Sequence, residues 1–321
     1  MSIAVKLFID KEKQRVLFAE SDKDFIDVLF SFLTLPLGTI VRLLGKQSGL
    51  GCLDEVYKSV DSLSIEHFQT KACKTMLLEP LNAAASQCDR LKLKVDNANP
   101  RLIFRFQFSP NATCKSCKQY KLRELQRSDN AAAGYDADDG VFIKSGRTLI
   151  ITDDLQVAPA STCLVFSLLD KFGLNEKADI EEKFLHLDKQ KMLSLLKRTL
   201  ISKEPLTGLY FDTVAKPGDV PVSLDELLSS QQICSRRKKA TTQRSLMLIQ
   251  TADNSTVLYA EVGQDFVDLI FGLLGFPLGS MIKCYYMWPT NGCVDNLYRS
   301  VEGSAKECMR QGCGGLRHPH H

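Results

Sequence analysis

At 321 residues, with 44% hydrophobic and 25% charged side chains, the chain has the make-up of an ordinary folded protein, which excludes wholesale disorder and fibrous architectures. Its net charge of +3 is too small to mark a nucleic-acid-binding surface, which needs a concentrated basic excess, so nucleic acid is not an expected partner. Eleven scattered cysteines, and no apolar signal-peptide core ahead of the first charges in MSIAVKLFIDKEKQ, point to a reducing intracellular compartment, cytoplasmic or nuclear, rather than to secretion.

VKLFI and RVLFAE flank the polar turn DKEKQ and read as an antiparallel hairpin. A helix follows. Phe25, Val28, Leu29 and Phe32 fall on one face at helical spacing, and Asp22 and Asp24 lie where the helix dipole favours acids. Pro36 and Gly38 break that helix, and Pro36 suits the first turn of a second one, TIVRLLG, because its missing N–H would be unpaired there. GCLDEVYKSVDSL reads as a third. Residues 141–172 echo the same order more faintly, with VFIKS, a Gly-Arg turn, TLIITDD and then STCLVFSLLDKFGL. EEKFLHL is a strand, and DKQKMLSLLKRTLI an amphipathic helix with Met192, Leu195, Leu196 and Thr199 in register. Residues 214–242, rich in Pro, Ser and basic side chains, form a linker.

After that linker the opening is written again. Residues 2–60 laid on 243–301, an offset of 241, need no gap and give 19 identities in 59 pairs, which reads as duplication. Asp24, Phe25, Asp27, Pro36 and Gly38 return as Asp265, Phe266, Asp268, Pro277 and Gly279, and these are the expected structural core of the repeat. Cys52 returns as Cys293, read as a small buried residue opening a helix. The window Leu269–Trp288 resembles a membrane span, interrupted only by Lys283. Its counterpart carries Arg42 and Lys46, and both windows hold a Pro and a Gly, so buried helices and no membrane insertion are expected.

The expected architecture is α+β, repeated strand-strand-helix units with antiparallel hairpins packed on helices. The divisions are a full first copy over 1–213, the basic linker over 214–242, a shortened second copy over 243–303 and an irregular tail over 304–321. Two explanations fit the short second copy: it packs against the first to complete its core, or the chain is a reduced form of a longer protein.

The phrases VLFAESDKDFIDVLFSFLTLPLGTIVRLL, GCLDEVYKSV, GVFIKSG, TLIITDDLQVAPAS and SLLKRTLISKEPLTGLYF resemble the plant family known as domain of unknown function 674, whose members are often tandem copies of one domain. The resemblance implies kinship of fold and a plant source, and supplies no activity. Members usually carry further cysteines around the region of Cys114 and Cys117, including a Cys-x-Cys-Gly phrase; this chain has only the pair.

Cys114 and Cys117, two residues apart, have the spacing of half a zinc knuckle, which makes zinc the one cofactor the sequence suggests. The remaining ligands would have to come from Cys73, Cys88 or His67, none of them at knuckle spacing, and the plainer reading is a pair of loop thiols. Asp24 and Asp27, mirrored by Asp265 and Asp268, stand three apart, as an acid-base or metal pair would, but compensation of the helix dipole explains them without chemistry. Asp153-Asp154 ends a strand, where turn capping is the simpler account. Gly45-Lys46-Gln47-Ser48 lacks the earlier glycine and the hydroxyl residue that a phosphate loop requires. Arg236, Arg237, Lys238 and Lys239 form a basic cluster that suits acidic partners or nuclear import, set against the plainer reading of solvated linker charge. With only His67 and His186 outside the tail, the sequence points away from catalysis and toward a non-enzymatic protein-interaction or scaffold module with a protein partner. The alternatives are an enzyme assembled from distant residues such as Asp153, Cys88 and His67, or a zinc-supported nucleic-acid binder.

Overall fold

The computed structural model describes residues 1–97, 140–173, 180–212, 233–235, 246–251, 257–285 and 292–309. The first segment opens with the expected hairpin, β1 (Ile3–Asp10) against β2 (Arg15–Ser21), followed by α1 (Lys23–Ser31), a 3-10 turn, α2 (Leu37–Leu43) and α3 (Leu53–Ser62). Asp22 caps α1, its carboxylate accepting from the Asp24 N–H at 3.0 Å. Two short helices, α4 (Lys71–Leu78) and α5 (Ala85–Cys88), then lead to β3 (Leu149–Thr152), β4 (Val157–Pro159) and α6 (Thr162–Lys171). β5 (Ile180–Leu187), α7 (Lys189–Ile201) and α8 (Pro205–Tyr210) complete this part.

These strands form one antiparallel sheet in the order β4-β3-β2-β1-β5. The apolar faces of α1 and α7 pack on it: Phe25, Val28, Leu29 and Phe32 from α1 and the turn after it, with Met192, Leu195 and Leu196 from α7, are all fully buried. The fold is α+β, as the alternation of period-two and period-3.6 patterns predicts. One element differs from expectation. VFIKS is not a strand, because the N–H groups of Val141, Phe142 and Ile143 turn inward to the Asp27 carboxylate, leaving only an isolated bridge from Ile143 to Met309.

The second segment repeats the element order with β7 (Leu246–Thr251), β8 (Val257–Val262), α9 (Gln264–Gly272), a 3-10 turn, α10 (Leu278–Tyr285) and α11 (Val294–Glu302). Even the irregularities coincide: a register shift between Phe8 and Ile9 recurs between Ile249 and Gln250, the positions 241 residues later. A short strand, β6 (Ile233–Ser235), pairs with β7 as β5 pairs with β1; Ile233 lies opposite Thr251 where Ile180 lies opposite Asp10. This second sheet, β6-β7-β8, therefore has counterparts of β5, β1 and β2, and among the described residues none of β3 and β4.

The two segments join through their Pro-Leu-Gly phrases. Pro36 faces Pro277 in an antiparallel bridge; the Leu37 N–H donates to the Phe276 carbonyl and the Leu278 N–H to the Leu35 carbonyl, each at 2.9 Å. The bonds are interchanged by a local twofold rotation. The helices follow it: α1 packs on α11, and α9 packs on α3, so each segment's first helix supports the other's third.

Candidate functional site

Among the described residues three features hold side chains in defined surroundings: two carboxylates, Asp27 and Asp153, that accept main-chain N–H groups, one small cavity, and the outer edge of β8, which has no described equivalent of β3 beside it. Asp27 projects from α1 into the core and accepts three consecutive main-chain N–H groups, from Val141 at 2.5 Å, Phe142 at 2.8 Å and Ile143 at 3.0 Å. Burial pushes its carboxyl up to about 6, against the opposing pull of those donors, with the Asp24 charge adding to the rise. Asp153, just past β3, does the same for the start of α8, accepting from the N–H groups of Leu206 and Thr207 at 2.8 and 2.9 Å and from the Thr207 hydroxyl at 2.5 Å. That hydroxyl in turn accepts the Val16 N–H at 2.8 Å. Burial again dominates and raises Asp153 to about 6. Asp154 faces the other way and meets the Thr152 hydroxyl, Gln156 and Asn296 of α11.

A raised carboxyl in an open cleft would be a candidate acid or base. Asp27 and Asp153 are instead surrounded by donors belonging to loops and helix starts, and their chemistry is that of anchors: each fixes a remote stretch of backbone. The spacing of Asp24 and Asp27 along α1 thus separates two roles, since Asp24 lies outside and pairs with Lys92 at 2.6 Å. The Asp27 anchor was invisible in the sequence because its partners lie 114 to 116 positions away with no local spacing to betray them.

A cavity of about 50 Å³ lies beside Cys88 and is lined also by Ser31, Asn82, Asp89, Lys94 and Asp96. That is water-sized, far below the several hundred Å³ of a typical ligand pocket. Burial raises the Cys88 thiol, which has Thr34 Oγ1 at 3.8 Å, so it is a poor thiolate. Neither Asp153 nor His67 lines this cavity, and His67 is exposed in a 3-10 turn. The structure gives Asp153, Cys88 and His67 separate surroundings. Cys114, Cys117 and the cluster Arg236, Arg237, Lys238 and Lys239 lie outside the described residues. Among the described residues no group of three or more His, Cys, Asp or Glu is placed to hold a metal ion, and no helix is long and apolar enough to cross a membrane.

Cys52 and Cys293 part company despite their shared position. Cys293 is buried, its N–H donating to the Thr199 carbonyl at 2.9 Å, with burial and the nearby charges of Asp154 and Asp153 pushing its thiol up. Cys52 is exposed, contrary to the reading of the pair as buried, whereas the Gly292–Cys293 step is seated against the Thr199 and Leu200 carbonyls at the end of α7.

The same asymmetry reaches its extreme on β8 and α9. Val16, Phe18, Val28 and Leu35 are 1%, 2%, 0% and 3% exposed; their equivalents Val257, Tyr259, Leu269 and Phe276 are 48%, 52%, 45% and 46% exposed. Asp268, the equivalent of Asp27, is exposed as well. Phe18 packs with Leu17, Ile150 and Leu168 in a cluster separate from the main core that holds Val16, Val28 and Leu35, and exposed apolar side chains in such numbers are the usual mark of an interaction surface.

A family model described as "Protein of unknown function (DUF674)" matches residues 1–315. The chain belongs to the DUF674 family. That span takes in both segments and the dyad between them, so the family pattern runs across the Pro36–Pro277 junction. No curated protein and no solved structure matches the chain.

Proposed function

We propose that this DUF674 member is a non-enzymatic, intracellular plant protein-interaction module that arose by duplication of one strand-strand-helix unit, with the second unit presenting the binding surface. The observation that carries this reading is the pair of equivalent faces. In the first, Val16, Phe18, Val28 and Leu35 are buried in packed clusters to which residues 141–157 contribute; in the second, Val257, Tyr259, Leu269 and Phe276 are exposed. The polar clusters favour the same reading, because Asp27 and Asp153 are engaged in holding backbone and the cavity beside Cys88 is too small for a substrate.

The test places a photoreactive amino acid at Leu269 and, as a control, at the exposed Lys58 on α3 of the first segment. Irradiation in plant cells is expected to give discrete protein adducts from position 269 and none of the same mass from position 58. Identical patterns from both positions, or no adduct at 269, would remove this reading.

A further inference from the structure

The chain carries its own template for what the second face lacks. In the first segment, β2 pairs with β3 through Phe18 opposite Thr152, Ala19 opposite Ile151, Glu20 opposite Ile150 and Ser21 opposite Leu149. One short turn earlier, Val141, Phe142 and Ile143 place their N–H groups on Asp27 and their side chains in the core. Gly146, at φ +77°, makes the turn between these two contacts. The residues that receive this strand have close equivalents in the second segment: Tyr259, Ala260, Glu261 and Val262 on β8, and Asp268 on α9. No described strand pairs with the outer edge of β8, and the other edge of that sheet is already occupied by β6 in the register of β5.

We infer that the β8–α9 face is a strand-addition site for a partner polypeptide that supplies, in one extended segment, what residues 140–152 supply to the first segment. This rests on the interaction-module reading and specifies its partner. The segment has three parts: a tight loop whose consecutive N–H groups point at Asp268, a turn of a few residues, and an apolar strand that adds antiparallel to Tyr259–Val262. Main-chain bonds give such a site its hold, and alternate side chains over Leu269 and Phe266 give it selectivity. A second copy of this chain fits less well. Its own residues 140–152 are already committed to Asp27 and β2, and pairing β8 with β8 would bring no loop donors to Asp268.

The partner being unidentified, the probe is the synthetic peptide GVFIKSGRTLIITDDLQVAP, residues 140–159, labelled for fluorescence anisotropy and titrated with the full chain. Saturable binding is expected, weakened about tenfold or more by Leu269→Lys and by Asp268→Asn. Both residues are exposed, so both variants stay folded. Amide hydrogen exchange on the complex should slow over 257–262 and stay unchanged over 15–21. Three outcomes overturn the inference: no saturable binding, binding indifferent to both variants, or protection over 15–21, which would mean that the peptide displaces the chain's own strand. Self-association of the chain abolished by Leu269→Lys would also overturn it, by making a second copy the occupant. Each of these leaves the broader reading to be decided by cross-linking from position 269.

Discussion

Gly38 and Gly279 each lie against the backbone of the opposite half at equivalent points. A Cβ on Gly38 would lie 3.1 Å from the Leu274 carbonyl oxygen and 3.2 Å from the Leu274 Cβ; on Gly279 it would lie 3.0 Å and 3.3 Å from the same atoms of Leu33. Leu33 and Leu274 are themselves equivalent positions. The glycine of each Pro-Leu-Gly phrase is therefore retained for close approach across the dyad, and the phrase is an interface as well as a helix break.

Alanine at either glycine should accordingly be felt, Gly38 having in addition the Leu77 carbonyl oxygen 3.0 Å from the added methyl. The added methyl meets carbonyl oxygens that cannot swing aside, and overpacking of this kind costs about 1–3 kcal/mol. Gly38→Ala and Gly279→Ala are each expected to lower the urea midpoint. A neutral result at one position with a large effect at the other would contradict the reciprocal geometry.

The two equivalent aspartates should behave in opposite ways. Asp27→Asn replaces one acceptor oxygen by a donor in front of three buried N–H groups, with an expected loss of about 3 kcal/mol. Asp268→Asn alters an exposed side chain and should stay within about 0.5 kcal/mol of the parent. Chemical denaturation of the two variants side by side tests this, and equal losses would count against the anchoring role of Asp27.

The pH dependence has a definite sign. Asp27 and Asp153 are raised from 3.8 to about 6 by burial, so the native state binds their protons more tightly than the unfolded chain does. Each group's contribution is fully present below 3.8 and is lost as the pH rises through about 6, a span worth about 3 kcal/mol per group. The stability gap between the parent and Asp153→Asn should be widest near pH 4 and narrow toward pH 7, as read by urea titrations across that range. A gap that widens with pH would show that the donors around Asp153 outweigh its burial.

Thiol reactivity should follow exposure rather than sequence equivalence. A maleimide is expected to label Cys52, Cys163 and Cys284 in the folded protein and to reach Cys293 and Cys308 only after denaturation, with sites assigned by mass spectrometry. Prompt labelling of Cys293 would indicate that α7 does not hold the start of α11.

What the sequence made legible was local. The hairpins follow from VKLFI and RVLFAE, α1 from the spacing of Phe25, Val28, Leu29 and Phe32, and the break from Pro36 and Gly38, because each of these signals lives within one turn or one strand. The role of Asp27, the inward turn of Val141–Ile143 and the exposure of Cys52 depend on which remote element arrives overhead. Amphipathic period reports that a face is apolar and is silent on what covers it. Leu269 and Val28 show this most plainly, since the same pattern describes a side chain in the core and one at the surface.

The reciprocal bonds between Leu35–Leu37 and Phe276–Leu278 are those of a homodimer interface, with both subunits written into one polypeptide. Tethering turns an association that would weaken on dilution into one fixed by the covalent chain, whatever the protein concentration. It also frees the two protomers from obeying one sequence. A true homodimer would present both edges alike, whereas here β2 carries β3 on its outer edge and, among the described residues, the equivalent edge of β8 carries no strand. The fused pair can thus be asymmetric where two identical subunits could not.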